Sequence, residues 1–275
     1  MSSNWAKRTA ATLAAIGLSA LAVGCGSSSS SSSSTTAPAA GSPSASSSSQ
    51  TGSAPAAGAT TTVLAAASLT KVFPKIDPNG KYTFGGSGTL AAQIEQGAPA
   101  DVYAAASPKD PAKLLAKGLI DKPSVFATNT LVLIVPTANS AHIKSVSDIT
   151  KPGVKIVICN ATVPCGDYAR TAFKNLGITS QAMKNVVSQA TDVTQVVAEV
   201  ASGQADVGFV YVTDAKAAMG KVAVVRLPAA AKPRTMDEIA VVKKAPDPAA
   251  AKAFVAKVLS ASGQAMLEAA GFGKP

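Results

Sequence analysis

Short apolar runs that end in small hydroxyl or glycine residues, each followed by helical spacing, dominate the chain from residue 61 onward. The first such run, Val63–Thr70, reaches Ser68, and apolar residues at helical spacing follow it. This pattern predicts a buried parallel strand that leads into a helix capped by Ser68. The free N–H groups of such a helix start point beyond the carboxyl end of the strand.

The same pattern recurs along the chain. A glycine-rich turn that contains Ser87 follows a second predicted strand, and Asp192 precedes a helical run of valines that starts at Val193. Strands that alternate with helices throughout predict α/β layers with largely parallel sheets. Because the carboxyl ends of parallel strands share one edge of a sheet, we expect these helix starts to converge on one small anion.

The first 24 residues read as a secretory signal peptide. Two basic residues precede an apolar run, Ala10–Val23, which is too short to span a bilayer as a mature helix. Its end at Gly24 and Cys25 resembles a bacterial lipobox, which implies cleavage before Cys25 and a lipid on that thiol. Ala22 stands where Leu is commoner, so ordinary signal cleavage is the alternative.

Composition divides the remaining chain into a tether and a folded part. Residues 25–60 are almost entirely Ser, Thr, Ala, Pro and Gly and carry no charge, so we predict a disordered tether. The part from residue 61 onward is long enough for two modest domains, and it holds 23 of the 25 basic residues and all 15 acidic ones. This surplus favours an anionic ligand, whereas the absence of arginine clusters and interleaved aromatic residues gives no support for nucleic acid binding.

The cysteines bear on both redox state and catalysis. If Cys25 carries lipid, Cys159 and Cys165 are left as a pair in an exported domain, for which a disulfide is the natural prediction and free thiols are the alternative. Two cysteines and the single histidine, His142, do not make a metal site. If Cys165 acted as a nucleophile, it would need a base to activate it, and the sequence offers no suitable one. We therefore do not expect an enzyme.

Four blocks in order resemble one known family. They are Ala66–Thr70, Phe84–Asp101, Val163–Ala169 and Val207–Asp214, and together they resemble the molybdate-binding proteins that serve molybdate ABC importers. The resemblance covers essentially all of residues 61–273. It implies an α/β type II periplasmic-binding-protein fold with two lobes, each a mostly parallel sheet flanked by helices, and a ligand in the cleft between the lobes.

The resemblance also implies a set of ligand-binding residues. In that family two Ser hydroxyls, a Tyr hydroxyl and backbone amides hold the oxyanion, which places Ser68, Ser87, Cys165, Val193 and Tyr211 at the site. Cys165 stands where the family usually has Ala, and we expect it to contribute its backbone N–H. Molybdenum would be bound as the whole oxyanion, molybdate or tungstate, with no protein–metal bond and no cofactor.

The domain boundaries and partners follow from the same resemblance. We predict one lobe over residues 61–138 and 237–275 and the other over 139–236, with crossings near Val135–Thr137 and Thr235–Ile239. The expected partner is the membrane permease of an ABC importer, and the expected state is a monomer anchored by lipid to the outer face of the cytoplasmic membrane. The alternatives are a receptor of the same fold for sulfate, phosphate or ferric ion, and a surface protein without a small ligand.

Overall fold

The computed structural model describes residues 60–233 and 235–275. Its strands, in chain order, are β1 (Thr62–Ala66), β2 (Lys81–Gly85), β3 (Val102–Ala105), β4 (Ser124–Asn129), β5 (Leu131–Pro136), β6 (Ile156–Cys159), β7 (Val186–Ala190), β8 (Val207–Tyr211), β9 (Val222–Val225) and β10 (Thr235–Val241). Its α-helices are α1 (Phe73–Ile76), α2 (Ser87–Glu95), α3 (Lys109–Ala116), α4 (Pro164–Asn175), α5 (Thr179–Lys184), α6 (Val193–Ala201), α7 (Val212–Ala217), α8 (Pro248–Leu259) and α9 (Ala261–Ala270). Three short 3₁₀ segments are Ala67–Leu69, Val146–Thr150 and Ala229–Ala231.

The strands form two five-stranded sheets flanked by helices, as the α/β prediction requires. The order of the first sheet is β2-β1-β3-β10-β4, and that of the second sheet is β7-β6-β8-β5-β9. In each sheet four strands share one direction, because only β10 in the first and β5 in the second pair antiparallel with both neighbours. The prediction of mostly parallel sheets is therefore confirmed.

Two connections carry the chain between the sheets. Thr130 alone separates β4 in the first sheet from β5 in the second, and residues 226–234 link β9 back to β10. The two connections meet the first sheet side by side, because Asn129 ends β4 and Thr235 begins the neighbouring β10. The Asn129 N–H donates to Thr235 Oγ1 at 2.7 Å, and the Thr235 hydroxyl donates to the Asn129 carbonyl. These contacts fix the two strands of the first sheet to each other at the point where the chain passes to the second sheet.

The sheet to which β5 belongs changes the position of the first predicted crossing between the lobes. The prediction of a lobe over residues 61–138 included Leu131–Pro136, but this strand pairs with β8 and β9 and so belongs to the second sheet. Its continuous apolar sequence suits a buried strand of either sheet, and the pairing depends on partners about eighty residues further along the chain. The division into two lobes stays a prediction, with its first crossing now at Thr130.

Two local predictions were wrong. Ser68 lies within the 3₁₀ segment Ala67–Leu69 and is not a helix cap, and α1 begins only at Phe73, where a proline occupies the first turn. The strand β4 was missed, because its sequence Ser-Val-Phe-Ala-Thr-Asn offers only two large apolar residues. It is held by pairing with β10.

The predicted signal peptide, Cys25 and nearly all of the predicted tether lie outside the described residues. Within residues 60–233 and 235–275, none of the helices combines the length and the apolar character that a membrane span needs.

Candidate functional site

A small pocket lies where the carboxyl ends of the parallel strands of both sheets face each other. This is the position at which open α/β sheets bind ligands. The pocket is small and encloses about 210 Å³ of space free of protein atoms, including its opening. Its lining residues are Ala66, Ala67, Ser68, Gly85, Gly86, Ser87, Ala106, Val163, Pro164, Cys165, Asp192, Val193 and Tyr211. All five predicted site residues are among them.

The first sheet contributes two serines from the turns after β1 and β2. Ser87 is the first residue of α2, and its Oγ accepts a hydrogen bond from the Ala106 N–H at 3.1 Å. Accepting this bond uses a lone pair of the oxygen and not its proton, so the hydroxyl can still donate to a ligand. The buried Oγ of Ser68 has no hydrogen-bond partner among the described residues. A buried hydroxyl without a partner costs free energy, and a ligand that accepts its proton would offset that cost.

The second sheet contributes two helix starts. Asp192 caps α6, and its Oδ1 accepts from Thr194 N at 2.8 Å and Gln195 N at 3.1 Å. The cap uses these two N–H groups, whereas that of Val193, the first helical residue and a lining residue of the pocket, has no acceptor among the described residues. The helix predicted to start after Asp192 is therefore confirmed.

Cys165 is placed by a second helix start. In α4 the first residue is Pro164, which has no N–H, and the N–H groups of Gly166 and Asp167 both donate to the Val163 carbonyl. The N–H of Cys165 has no acceptor in the part of the chain that the structure describes. In this turn, the N–H of Cys165 is therefore free to donate to a ligand, which is what the expected backbone contact at Cys165 requires.

Tyr211 ends β8 and has a side chain that is almost fully buried. Its N–H donates to Asp214 Oδ2 at 2.9 Å, and its ring meets that of Tyr168 edge to face with centroids 6.4 Å apart. The hydroxyl has no partner among the described residues. Burial, and after it the nearby carboxyl of Asp237, raise the pKa of Tyr211 well above its usual range, so the hydroxyl stays protonated and can donate.

The turn that carries Cys165 is braced in two ways. A disulfide joins Cys159, at the end of β6, to Cys165, as the disulfide prediction expected. The guanidinium of Arg170 donates to the carbonyls of Cys159 at 3.1 Å and Gly166 at 3.0 Å, and to Gln189 Oε1 at 2.8 Å. Cys165, which stands where the family usually has Ala, thus links the start of α4 at the pocket to the end of β6.

Reducing this disulfide is expected to lower the free energy of unfolding by about 2 kcal/mol, because the bond closes a loop of few residues and constrains the unfolded chain. Urea unfolding of the oxidised and reduced protein measures the difference. A Cys159→Ala/Cys165→Ala variant should be as stable as the reduced protein and insensitive to reductant. Equal stability of the oxidised and reduced forms would contradict the expectation.

Neutral donors and helix starts give the pocket its electrostatic character. Asp192 is the only charged residue in its lining, and its Oδ1 is occupied by two N–H groups. Among the described residues there is no cluster of His, Cys, Asp and Glu that could hold a metal ion. The arrangement suits a small anion that accepts hydrogen bonds from all sides.

Sequence reasoning missed several lining residues. Ala106 follows β3 and meets the pocket next to Ser87, and Gly86 comes directly before α2. Their position after a strand end was the available signal, but alanine and glycine carry no side-chain chemistry to single them out.

Comparisons with known proteins agree with this geometry. The family model described as bacterial extracellular solute-binding protein matches residues 56–273. The molybdate-binding protein ModA of Mycobacterium tuberculosis H37Rv is 40% identical over 223 residues, which cover 78% of this chain and 84% of the relative. ModA of Escherichia coli K12 is 32% identical over 183 residues, covering 61% of this chain and 71% of the relative.

A solved structure extends the likeness to three dimensions. The periplasmic molybdate-binding protein of Azotobacter vinelandii superposes with a TM-score of 0.69 at 25% identity, covering 78% of this chain and 99% of that protein. The resemblance to molybdate-binding proteins seen in the four sequence blocks is confirmed by these matches. The chain belongs to the bacterial extracellular solute-binding protein family.

Proposed function

We propose that this protein is an extracytoplasmic receptor that captures molybdate, and also tungstate, and delivers it to the permease of an ABC importer. The observation that carries the proposal is the pocket itself, with two buried hydroxyls, those of Ser68 and Tyr211, that have no partner within the described part of the chain. The names of the relatives, which are molybdate-binding proteins, support the same ligand.

The chemistry of the ligand matches the donors around it. Molybdate is a tetrahedral dianion without a proton near neutral pH, so it only accepts hydrogen bonds. The hydroxyls of Ser68, Ser87 and Tyr211 and the N–H groups of Cys165 and Val193 supply five donors from both sheets. At roughly 1.5–3 kcal/mol for each bond to a charged group, these donors are sufficient for at least micromolar affinity, about −8 kcal/mol.

The proposal includes an anchored position outside the cell membrane. The family is extracellular, and the apolar run before Cys25 supports export and lipid attachment there. A tether up to residue 60 would let the folded part work as a monomer beside the membrane and reach the permease. This role requires no catalytic residue and no resident cofactor.

Isothermal calorimetry of the purified full-length protein with four anions tests the proposal. We expect molybdate and tungstate to bind with similar, at least micromolar affinity, because the two ions have nearly the same size and charge. Phosphate carries a proton near neutral pH, and a pocket of donors leaves that proton without an acceptor, so phosphate should bind far more weakly. Sulfate is smaller and should contact fewer donors at once.

The four-anion experiment also separates the alternatives. Tighter binding of sulfate or phosphate than of molybdate would assign the pocket to another oxyanion. Binding of none of the four would leave the pocket without its proposed ligand and would favour the surface protein without a small ligand.

A further inference from the structure

The turn that begins α2 touches the opposite side of the pocket through glycines. A Cβ atom added to Gly86 would lie 2.6 Å from the carbonyl oxygen of Thr191 and 2.9 Å from Val163 Cγ2. A Cβ added to Gly88 would overlap the carbonyl oxygen of Thr162. Gly86 and Gly88 belong to the first sheet's side, whereas the residues they meet lie in loops beside the second sheet.

Those loops are the ones that carry the donors of the second sheet. Thr162 and Val163 directly precede α4 and its free N–H at Cys165, and Thr191 precedes α6 and Val193. The spacing between the two halves of the pocket is therefore set where the backbone of the α2 start meets the backbone of these loops. Backbone carbonyls cannot rotate away as a flexible side chain can.

Three side-chain contacts also cross between the halves. One is buried and lies where the chain passes between the sheets, from Asn129 Nδ2 to Thr213 Oγ1 at 3.0 Å, and the other two are exposed. Lys109 Nζ lies 3.2 Å from Asp167 Oδ2, with both side chains at least half exposed, and Lys216 Nζ donates to the Ala269 carbonyl at 2.7 Å. Exposed pairs of this kind are worth little, typically about 0.2–1 kcal/mol. The close approach at Gly86 and Gly88 is thus a stronger determinant of the spacing at the pocket than these two exposed pairs.

We propose that Gly86 and Gly88 are positioning residues: the absence of their side chains lets both halves of the pocket reach one anion at the same time. The inference rests on the proposed oxyanion function. A side chain at either position would hold the halves apart, so that the anion bonds to Ser68 and Ser87 on one side or to the second-sheet donors on the other, but not to both.

Replacing Gly88 with alanine is expected to weaken molybdate binding by about tenfold or more, since at least one charge-assisted hydrogen bond is lost. The loss should appear as faster dissociation with nearly unchanged association, because contact between the halves follows the first encounter. The melting temperature of the ligand-free variant should be unchanged or higher, because alanine favours a helix more than glycine does. Calorimetry, stopped-flow displacement and thermal unfolding of the full-length protein measure these quantities.

Thr89→Ala is the control in the same helix start. Thr89 belongs to α2, is exposed and does not line the pocket, so this variant should bind molybdate as the unmodified protein does. Gly86→Ala provides an independent second variant and should weaken molybdate binding as Gly88→Ala does. In both variants, small-angle scattering should show no decrease in the radius of gyration when molybdate is added, if the unmodified protein shows one.

The outcomes separate this inference from the proposed function. If the unmodified protein binds none of the four anions, the proposed function fails before the variants are considered. If it binds molybdate and both alanine variants bind equally well, only the role of Gly86 and Gly88 is refuted. A large loss of ligand-free stability in both variants would also refute it, because the glycines would then be needed for folding and not for spacing.

Discussion

Tyr211→Phe is expected to weaken molybdate binding by about ten- to a hundredfold and to leave the ligand-free protein as stable as before or more stable. The Tyr211 side chain lines the pocket, and its buried hydroxyl has no partner in residues 60–233 and 235–275. It would donate to a dianion, and a hydrogen bond to a charged group is worth roughly 1.5–3 kcal/mol. Without the ligand this hydroxyl is removed from water and gains no hydrogen bond in return. Its removal should therefore leave the free energy of unfolding unchanged or raise it. Calorimetry and urea unfolding measure the two opposite effects.

Tyr82→Phe is the control for this prediction. The Tyr82 hydroxyl donates to the Asp77 carbonyl at 2.6 Å and the Phe73 carbonyl at 3.2 Å, and it does not line the pocket. Its removal should therefore lower stability by about 1 kcal/mol and leave the affinity unchanged. If Tyr211→Phe instead lowers stability as Tyr82→Phe does, with unchanged affinity, then Tyr211 is a core residue and not a ligand contact.

Ser68 and Ser87 differ in a way that the sequence does not reveal. Like Tyr211, Ser68 has a buried hydroxyl for which the described residues offer no partner, so Ser68→Ala should leave the stability of the ligand-free protein unchanged. Ser87 accepts the N–H of Ala106, and its own carbonyl accepts the Tyr103 hydroxyl at 2.8 Å. Ser87→Ala would leave the Ala106 N–H without an acceptor, so it is expected to cost stability as well as affinity.

The candidate site could be predicted from the sequence because each of its residues follows a strand end. Local patterns identify the runs around Ser68, Ser87 and Tyr211, and the parallel order of the strands brings their carboxyl ends together. The resemblance added the choice of residue within each turn. The role of Gly86 and Gly88 could not be predicted, because it depends on which loops of the other sheet face them.

Sheet membership was the weaker part of the fold prediction for a related reason. The apolar strand Leu131–Pro136 has no local feature that assigns it to one sheet, and its partners are Val207–Tyr211 and Val222–Val225. The strand Ser124–Asn129 has too few large apolar residues to be recognised and depends on β10 for its place. Pairing over long sequence separations decided both cases.

The sequence analysis did not single out Asp237, whose ionisation is expected to have the strongest effect of pH on stability. It lies in β10 at an irregularity in the pairing with β4, is fully buried, and neither of its carboxylate oxygens has a partner among the described residues. Burial first, and then the neighbouring carboxyl of Asp214, raise the pKa of Asp237 well above its usual range. Burial likewise raises the pKa of Asp214 to about 7, against the hydrogen bond from Tyr211 N.

The sign of the effect follows from proton binding in the two states. An unfolded Asp ionises near pH 4, whereas Asp237 remains protonated in the folded protein as the pH rises. The folded state then binds more protons, and the free energy of unfolding falls by up to about 1.4 kcal/mol per pH unit for each such group. For Asp214 this decline ends near pH 7, where the folded group also ionises.

Asp237→Asn should therefore match the unmodified protein in stability near pH 4 and exceed it by a difference that grows as the pH rises to 7. Urea unfolding at several pH values between 4 and 7 measures the growing difference. Asp121→Asn, at an exposed carboxylate paired with Lys243, is the control and should show no such growth. A variant that is less stable by the same amount at every pH would mean that Asp237 is ionised and held by a partner in the folded protein. A growing difference would instead place a neutral carboxyl behind Tyr211, where its ionisation would oppose a bound dianion.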